Sequence, residues 1–256
     1  MQENPIGFFD SGVGGLSVLK YALKIMPEEN YIYFGDSLNA PYGTKTKEQV
    51  FALAKSAINH LIDQNAKAVV VACNTATSIA VDTLRKEIDI PIISMEPAIK
   101  PAIKKTTGNI LLLATNVTLN SERVNKLIEK FDSENRVIKL PCAQLAQKIE
   151  EAVFFKNDID NYLKELLLPY VGENISAIVL GCTHYPFVKD KICAILGKNI
   201  SVFDGIEGTV LHLKEILESN NIKNKNKNRG YLKIESSIKD PAAIELYNKL
   251  LIGGIL

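Results

Sequence analysis

The sequence predicts an α/β fold made of two similar domains, each built on a doubly wound parallel sheet. Three observations carry this. Short apolar runs rich in β-branched residues alternate with stretches of helical spacing along the 256 residues, the pattern of parallel strands joined by crossover helices. Segments from the first part of the chain recur in the second at a nearly constant offset of roughly 104–109 positions. Two of the apolar runs also end alike: "AVVVACNTAT" (68–77) and "AIVLGCTHYP" (177–186) each place a cysteine just beyond the run.

In chain order, "FDSGVGGLSVL" (9–19) is a strand end, a glycine-rich turn and a helix start. "YIYFGD" (31–36) is a buried strand, and "APYGTKT" (40–46) a Pro-Tyr-Gly turn. "TKEQVFALAKSAINHLIDQ" sets Val50, Ala54, Ile58 and Leu61 on one helical face. "AVVVAC" (68–73), "PIISM" (91–95), "NILLLAT" (109–115), "AIVLGC" (177–182) and "ISVFDG" (200–205) are further buried strands. "AQKIEEAVF", "NDIDNYLKELLLPYV" and "EGTVLHLKEILES" carry helical spacing. "NNIKNKNKNRG" (220–230) is polar, basic and low in complexity, and predicts a solvated loop. "DPAAIELYNKLL" predicts a closing helix with Asp240 as N-cap and Pro241 at its first position.

The repeat lays "GFFDSG" (7–12) on "LLLATN" (111–116), "YFGDS" (33–37) on "IKLPC" (138–142), "PIISM" on "ISVFD", and one thiol stretch on the other. The repeat suggests two similar α/β halves; the expected division is residues 1–93 with 207–256 and residues 94–206, the two halves pseudo-symmetric and flavodoxin-like. In such sheets ligands sit at the C-terminal ends of strands, so both sets of strand ends should face one cleft. Cys73 and Cys182 then become equivalent residues approaching one ligand from opposite sides.

Bulk properties exclude several classes. Hydrophobic residues make up 46% and charged residues 23%, with a net charge of +1; this is an ordinary globular composition without the basic face that nucleic acid requires. No apolar run approaches the ~18–20 residues of a membrane span, and "MQENPIGFFD" lacks the form of a signal peptide. The four cysteines, Cys73, Cys142, Cys182 and Cys193, form no C-x-x-C pair, which argues against a disulfide framework or a zinc site and for reduced thiols in the cytoplasm.

A cysteine between a strand and the opening of a helix lies where the helix N-terminus stabilises a thiolate. A single buried cysteine is commonly just a small hydrophobe; two at equivalent turns, followed by Asn74-Thr75 and Thr183-His184, point to chemistry. His184 lies two residues from Cys182, as a base for a nucleophile or as a group tuning the thiol. His60 and His212 fall within helices and are expected to be structural or exposed. The 9–19 turn lacks both G-x-G-x-x-G after Asp10 and G-K-[ST], so it is a weak match to a phosphate loop, and a tight turn needing permissive glycines is the plainer reading. Asp10 at the strand end suits a base or an ammonium partner, and Ser11 with the turn amides could hold a carboxylate. Glu150, on an amphipathic helix, is by default an exposed glutamate.

Together "FDSGVGGLSV", "YFGDSLNAPYG", "VVACNTAT" and "VLGCTHYP" resemble the glutamate racemase family in order and spacing over nearly the whole chain. The resemblance implies an enzyme, without cofactor or metal, that interconverts L- and D-glutamate for peptidoglycan synthesis in the bacterial cytoplasm, usually as a homodimer. It implies that Cys73 acts on the D-enantiomer and Cys182 on the L-enantiomer, assisted by Asp10 and His184 respectively, with Glu150 a further acidic residue of the site. It implies substrate contacts at Asp10-Ser11, Pro41-Tyr42-Gly43, Asn74-Thr75, Thr115, Thr118 and Thr183-His184. Competing readings are a racemase for aspartate or another amino acid in the same superfamily, a Cys/His hydrolase or acyltransferase, and a silent protein contacting a DNA topoisomerase. Of these the hydrolase needs one thiol only, which leaves the second turn unexplained.

Overall fold

The computed structural model describes residues 2–155, 158–197 and 199–253. Its chain forms two compact units, one from the described parts of 1–95 and 206–254, the other from those of 96–205. The first unit opens with β1 (Ile6–Asp10), α1 (Leu16–Ile25), β2 (Tyr31–Gly35), α2 (Lys47–Ile62), β3 (Ala68–Val71), α3 (Asn74–Glu87) and β4 (Ile92–Ser94). The second contains α4 (Ile99–Lys105), β5 (Asn109–Ala114), α5 (Asn116–Leu119), α6 (Glu122–Phe131), β6 (Val137–Pro141), α7 (Leu145–Phe155), α8 (Asp160–Leu167), β7 (Ile175–Leu180), α9 (Lys189–Leu196) and β8 (Ser201–Asp204). The chain then returns to the first unit with α10 (Ile206–Ser219), β9 (Leu232–Ser236) and α11 (Pro241–Ile252). Among the described residues no helix is long and apolar enough to cross a membrane.

Both sheets are parallel, with strand orders β4-β3-β1-β2-β9 and β8-β7-β5-β6. The first four strands of the larger sheet and all four of the smaller follow one plan. The correspondence extends to single hydrogen bonds. Phe9 is paired with Val71 as Leu113 is with Leu180. Just beyond, Ala72 N–H donates to the Phe9 carbonyl (2.9 Å) as Gly181 N–H donates to that of Leu113 (2.7 Å). Asp36 N–H donates to the Asp10 carbonyl (3.0 Å) as Cys142 N–H donates to that of Ala114 (2.9 Å). The outer strands correct the sequence alignment by one residue. Opposite Asp10 and Ala114 stand Gly35 and Pro141, not Asp36 and Pro141. Likewise Ser94 corresponds to Asp204, not to Phe203. The central strands are buried at every residue but one in each of β5 and β7 and fix their own match, whereas the side chains of β6 and β8 are mostly half-buried or exposed and constrain it weakly.

Local chemistry explains where elements begin. The α2 helix starts on a capping box: Thr46 Oγ1 accepts from Gln49 N–H (3.3 Å) and Gln49 Oε1 from Thr46 N–H (3.0 Å). Its buried stripe, Val50, Ala54, Ile58 and Leu61, packs with Phe9, Val69 and Val71. Asp240 caps α11 through Ala242 N–H (2.9 Å), with Pro241 in the first turn. The 220–230 segment departs from a plain solvated loop. Asn224 is buried, its N–H donating to Glu29 Oε1 (2.7 Å) and its side-chain amide to the Glu28 carbonyl (2.9 Å). Glu29 also pairs with Lys67, both side chains fully buried, and Lys67 donates further to the Gln2 carbonyl. A charge buried this deeply needs such partners, and here they come from four separate stretches of chain.

Candidate active site

The two thiols end equivalent strands, each two residues past the last strand residue: Val71 then Cys73, Leu180 then Cys182. Their surroundings differ. Cys73 is the N-cap of α3, and its Sγ accepts the Ala76 amide N–H at 3.4 Å. It also donates to Ser11 Oγ at 3.4 Å. A sulfur in this place receives the positive end of a 14-residue helix, which favours the thiolate. Asp10, at the end of β1, is fully buried and takes Gly12 N–H on Oδ1 (3.0 Å). The glycine turn makes room for that carboxylate, because a Cβ on Gly15 would lie 2.6 Å from the Asp10 Cβ.

Asn74 and Thr75 follow in the first turn of α3, both buried. Among the described residues neither end of the Asn74 carboxamide has a hydrogen-bond partner. A buried amide left so is costly, and it leaves a donor and an acceptor to meet a ligand. Pro41 and Gly43 are half-buried and flank buried Tyr42. The Tyr42 hydroxyl donates to Asp36 Oδ2 (2.7 Å), and Asn39 holds the other oxygen of that carboxylate (2.9 Å). Burial first, then the hydrogen bond to Asp36 and the nearby charges, push the Tyr42 phenol far above its ordinary value, so it stays a neutral donor.

In the second unit Cys182 Sγ lies 3.7 Å from His184 Nδ1, and His184 Nε2 lies 2.7 Å from Glu150 Oε1. Glu150 is 9% exposed and His184 2%, so Glu150 is not the exposed helix residue that its position in α7 predicts by default. Burial alone would lower the imidazole pKa; hydrogen bonds to Cys182 and Glu150, with their charges, overcome it and hold His184 well above 6.5. The turn after Cys182 also differs from expectation. It enters a 3₁₀ turn, Tyr185–Val188, before α9 begins at Lys189, so Cys182 caps no α-helix and leans on an imidazole instead. Gly181 is required here: a Cβ would sit 2.8 Å from the Ala114 Cβ and 2.9 Å from the Leu113 carbonyl oxygen. Thr183 is buried. Thr115 caps α5, accepting Thr118 N–H (3.2 Å), and its hydroxyl donates to that of Thr118 (3.0 Å).

Two contributors went unread in the sequence. Asp36 orients Tyr42, and a carboxylate ending a strand, as Asp10 does, was its available signal. Tyr185 donates to the Cys142 carbonyl (3.2 Å) and so ties the two loops beside Cys182. Cys142 itself is inert: burial above all, then the neighbouring Cys182, push its thiol up to about 12.

The sequence profile of the family described as Asp/Glu/Hydantoin racemase matches residues 17–213. The chain belongs to this racemase family. The matched stretch holds both thiols, Glu150 and His184; Asp10 and Ser11 lie before it. Among family members, the glutamate racemase of Clostridium perfringens (strain ATCC 13124) is 51% identical over 253 residues, covering 98% of this chain and 97% of that protein. The crystal structure of glutamate racemase from Francisella tularensis in complex with D-glutamate is 31% identical with a TM-score of 0.83, covering 100% of this chain and 96% of that one. The Escherichia coli glutamate racemase, solved with L-glutamate and the activator UDP-MurNAc-Ala, is 28% identical with a TM-score of 0.84, over 98% and 96% of the chains. The α/β fold with two parallel sheets is thus that of the racemases.

Proposed function

We propose that the protein racemises glutamate at Cα without a cofactor, using Cys73 and Cys182 as paired acid/bases, and so supplies D-glutamate for peptidoglycan in the cytoplasm. The observation that carries this is the equivalence of the two thiols: each stands two residues past the third strand of its own copy of one plan. Inverting a carbon requires a proton to leave one face and another to arrive on the other. In the L-to-D direction the Cys182 thiolate takes the Cα proton, the electron pair is held as the enolate of the α-carboxylate, and the Cys73 thiol delivers its proton to the opposite face. The reverse reaction exchanges the roles. Asp10 serves the proton transfer at Cys73; His184, backed by Glu150, serves that at Cys182. Ser11, the Pro41–Gly43 turn, Asn74, Thr75, Thr115, Thr118 and Thr183 supply the hydroxyls, amides and backbone donors that hold the substrate. The homodimer belongs to the same reading.

The Cys182–His184–Glu150 chain favours one second reading, since nucleophile, base and orienting acid also make a hydrolase. It gives Cys73 no task. Racemisation in D₂O separates the two. Starting from L-glutamate, the first D-glutamate formed should carry deuterium at Cα, because the delivering thiol has exchanged with solvent, while unreacted L-glutamate stays protiated. D-glutamate that retains substrate protium, or a trapped acyl-enzyme on Cys182 with no racemisation, overturns the proposal.

A further inference from the structure

We propose that Tyr247, on the last helix of the chain, is a positioning residue of the reaction: it fixes the end of β2 and thereby the turns that present Tyr42 and Ser11. The inference rests on the racemase reading above for what those turns bind.

Tyr247 is fully buried. Its hydroxyl lies 2.7 Å from Ser37 Oγ and 3.2 Å from Ser236 Oγ, and 3.5 Å from the Gly35 carbonyl to which it donates. One phenol thus joins the end of β2, the first residue of the loop beyond Asp36, and the end of β9. The ring also leaves no space on Gly35, where a Cβ would lie 2.7 Å from Tyr247 Cε2 and 2.8 Å from the Gly12 carbonyl oxygen. Gly35 is therefore held between the Tyr247 ring and the turn that follows Asp10. Tyr33 closes the arrangement, its ring edge-on to Tyr247 (centroids 5.9 Å, 80°) and its hydroxyl donating to Gly12 O (2.6 Å).

The loop running from this anchor carries the binding groups. Asp36, next to Gly35, bonds through its N–H to the Asp10 carbonyl and through its carboxylate to the Tyr42 hydroxyl. The same segment of the C-terminal chain holds the loop a second time, where Ser237 Oγ accepts Leu38 N–H (3.0 Å). Moving β2's end moves Asp36, and Asp36 sets both Tyr42 and the carbonyl beside Ser11. Tyr247 touches no reacting atom in this scheme. Its loss weakens ground state and transition state alike, which appears in KM rather than in kcat.

The test is Tyr247→Phe, which keeps the ring and removes the hydroxyl. We expect KM for both glutamate enantiomers to rise about three- to tenfold, the size of one net hydrogen bond, with kcat within twofold. Ser37→Ala should do the same, and the double variant should add little beyond either. Glu245→Gln, on the exposed side of the same helix, should change nothing. Amide hydrogen exchange by mass spectrometry supplies a readout independent of substrate: residues 36–44 of Tyr247→Phe should exchange faster while α2 and β3 do not. An unchanged KM with unchanged exchange overturns the proposal, and so does exchange that rises throughout the first unit, which marks a merely structural residue. If Tyr247→Phe fails to fold, Ser37→Ala carries the test alone. A wild-type protein inactive on glutamate overturns the racemase reading, and the exchange measurement then decides whether Tyr247 holds the loop.

Discussion

The two thiols receive different help, and the difference can be titrated. In the folded protein His184 keeps its proton above the ordinary imidazole range, held by Cys182 and Glu150 against the effect of burial. Above pH ~6.5 the folded state therefore binds more protons at this site than the unfolded chain. The stability from this group is complete below that pH and is lost as pH rises through the raised value. Glu150→Gln removes the carboxylate, lowers the imidazole pKa and should flatten the fall in stability above pH ~6.5, as read from urea midpoints between pH 6 and 9. Losing a hydrogen bond to a charged group costs about 1.5–3 kcal/mol, so turnover should drop roughly ten- to hundredfold; a variant with wild-type turnover and pH profile would remove Glu150 from the site. The thiols and His184 were legible because each lies in a short contiguous motif, Cys73 in "CNT" and Cys182 with His184 in "CTH". The bond from Glu150 to His184 was not, since 34 positions separate the two residues and only the packing of α7 beside the β7 turn brings them together.

At the scale of elements, the buried parallel strands announced themselves, because a strand covered on both faces is apolar along its whole length. The edge strand β9 did not. Its sequence "LKIES" alternates and is exposed or half-buried throughout, and the basic, Asn-rich segment before it reads as loop. The one-residue slip in the outer repeats has the same origin: amphipathic edges have little burial to set register. Helix starts, by contrast, follow local chemistry. Thr46→Ala should strip the capping box from α2 and lower stability by about 1 kcal/mol, seen as a fall of roughly 2–4 °C in thermal midpoint. An unchanged midpoint would show that packing of the Val50–Leu61 stripe alone sets where α2 begins.

For the whole molecule, the buried Lys67–Glu29 pair is the joint where distant parts of the first unit meet. Burial pulls the Lys67 pKa down while Glu29 pushes it back, and Glu29 also holds the 224 backbone. Lys67→Met leaves a buried, unpaired carboxylate and should cost about 3–5 kcal/mol; adding Glu29→Gln, which keeps an acceptor for Asn224, should recover much of it in urea titration. Equal destabilisation in both variants would show that the charges contribute little. Sequence alone did not expose this joint, because its four stretches lie far apart along the chain. The discontinuity of the first unit has a further consequence for a chain emerging from a ribosome. Strand β2 is complete at Gly35, yet its neighbour β9 starts at Leu232. At ~5–20 residues per second, one edge of the first sheet stays open for about 10–40 s while the entire second unit is synthesised. The second unit can fold as it leaves the tunnel; the first must wait for its last helix. That interval, rather than any property of the finished protein, is when the tyrosine-rich β2 edge is open to pairing with the wrong chain.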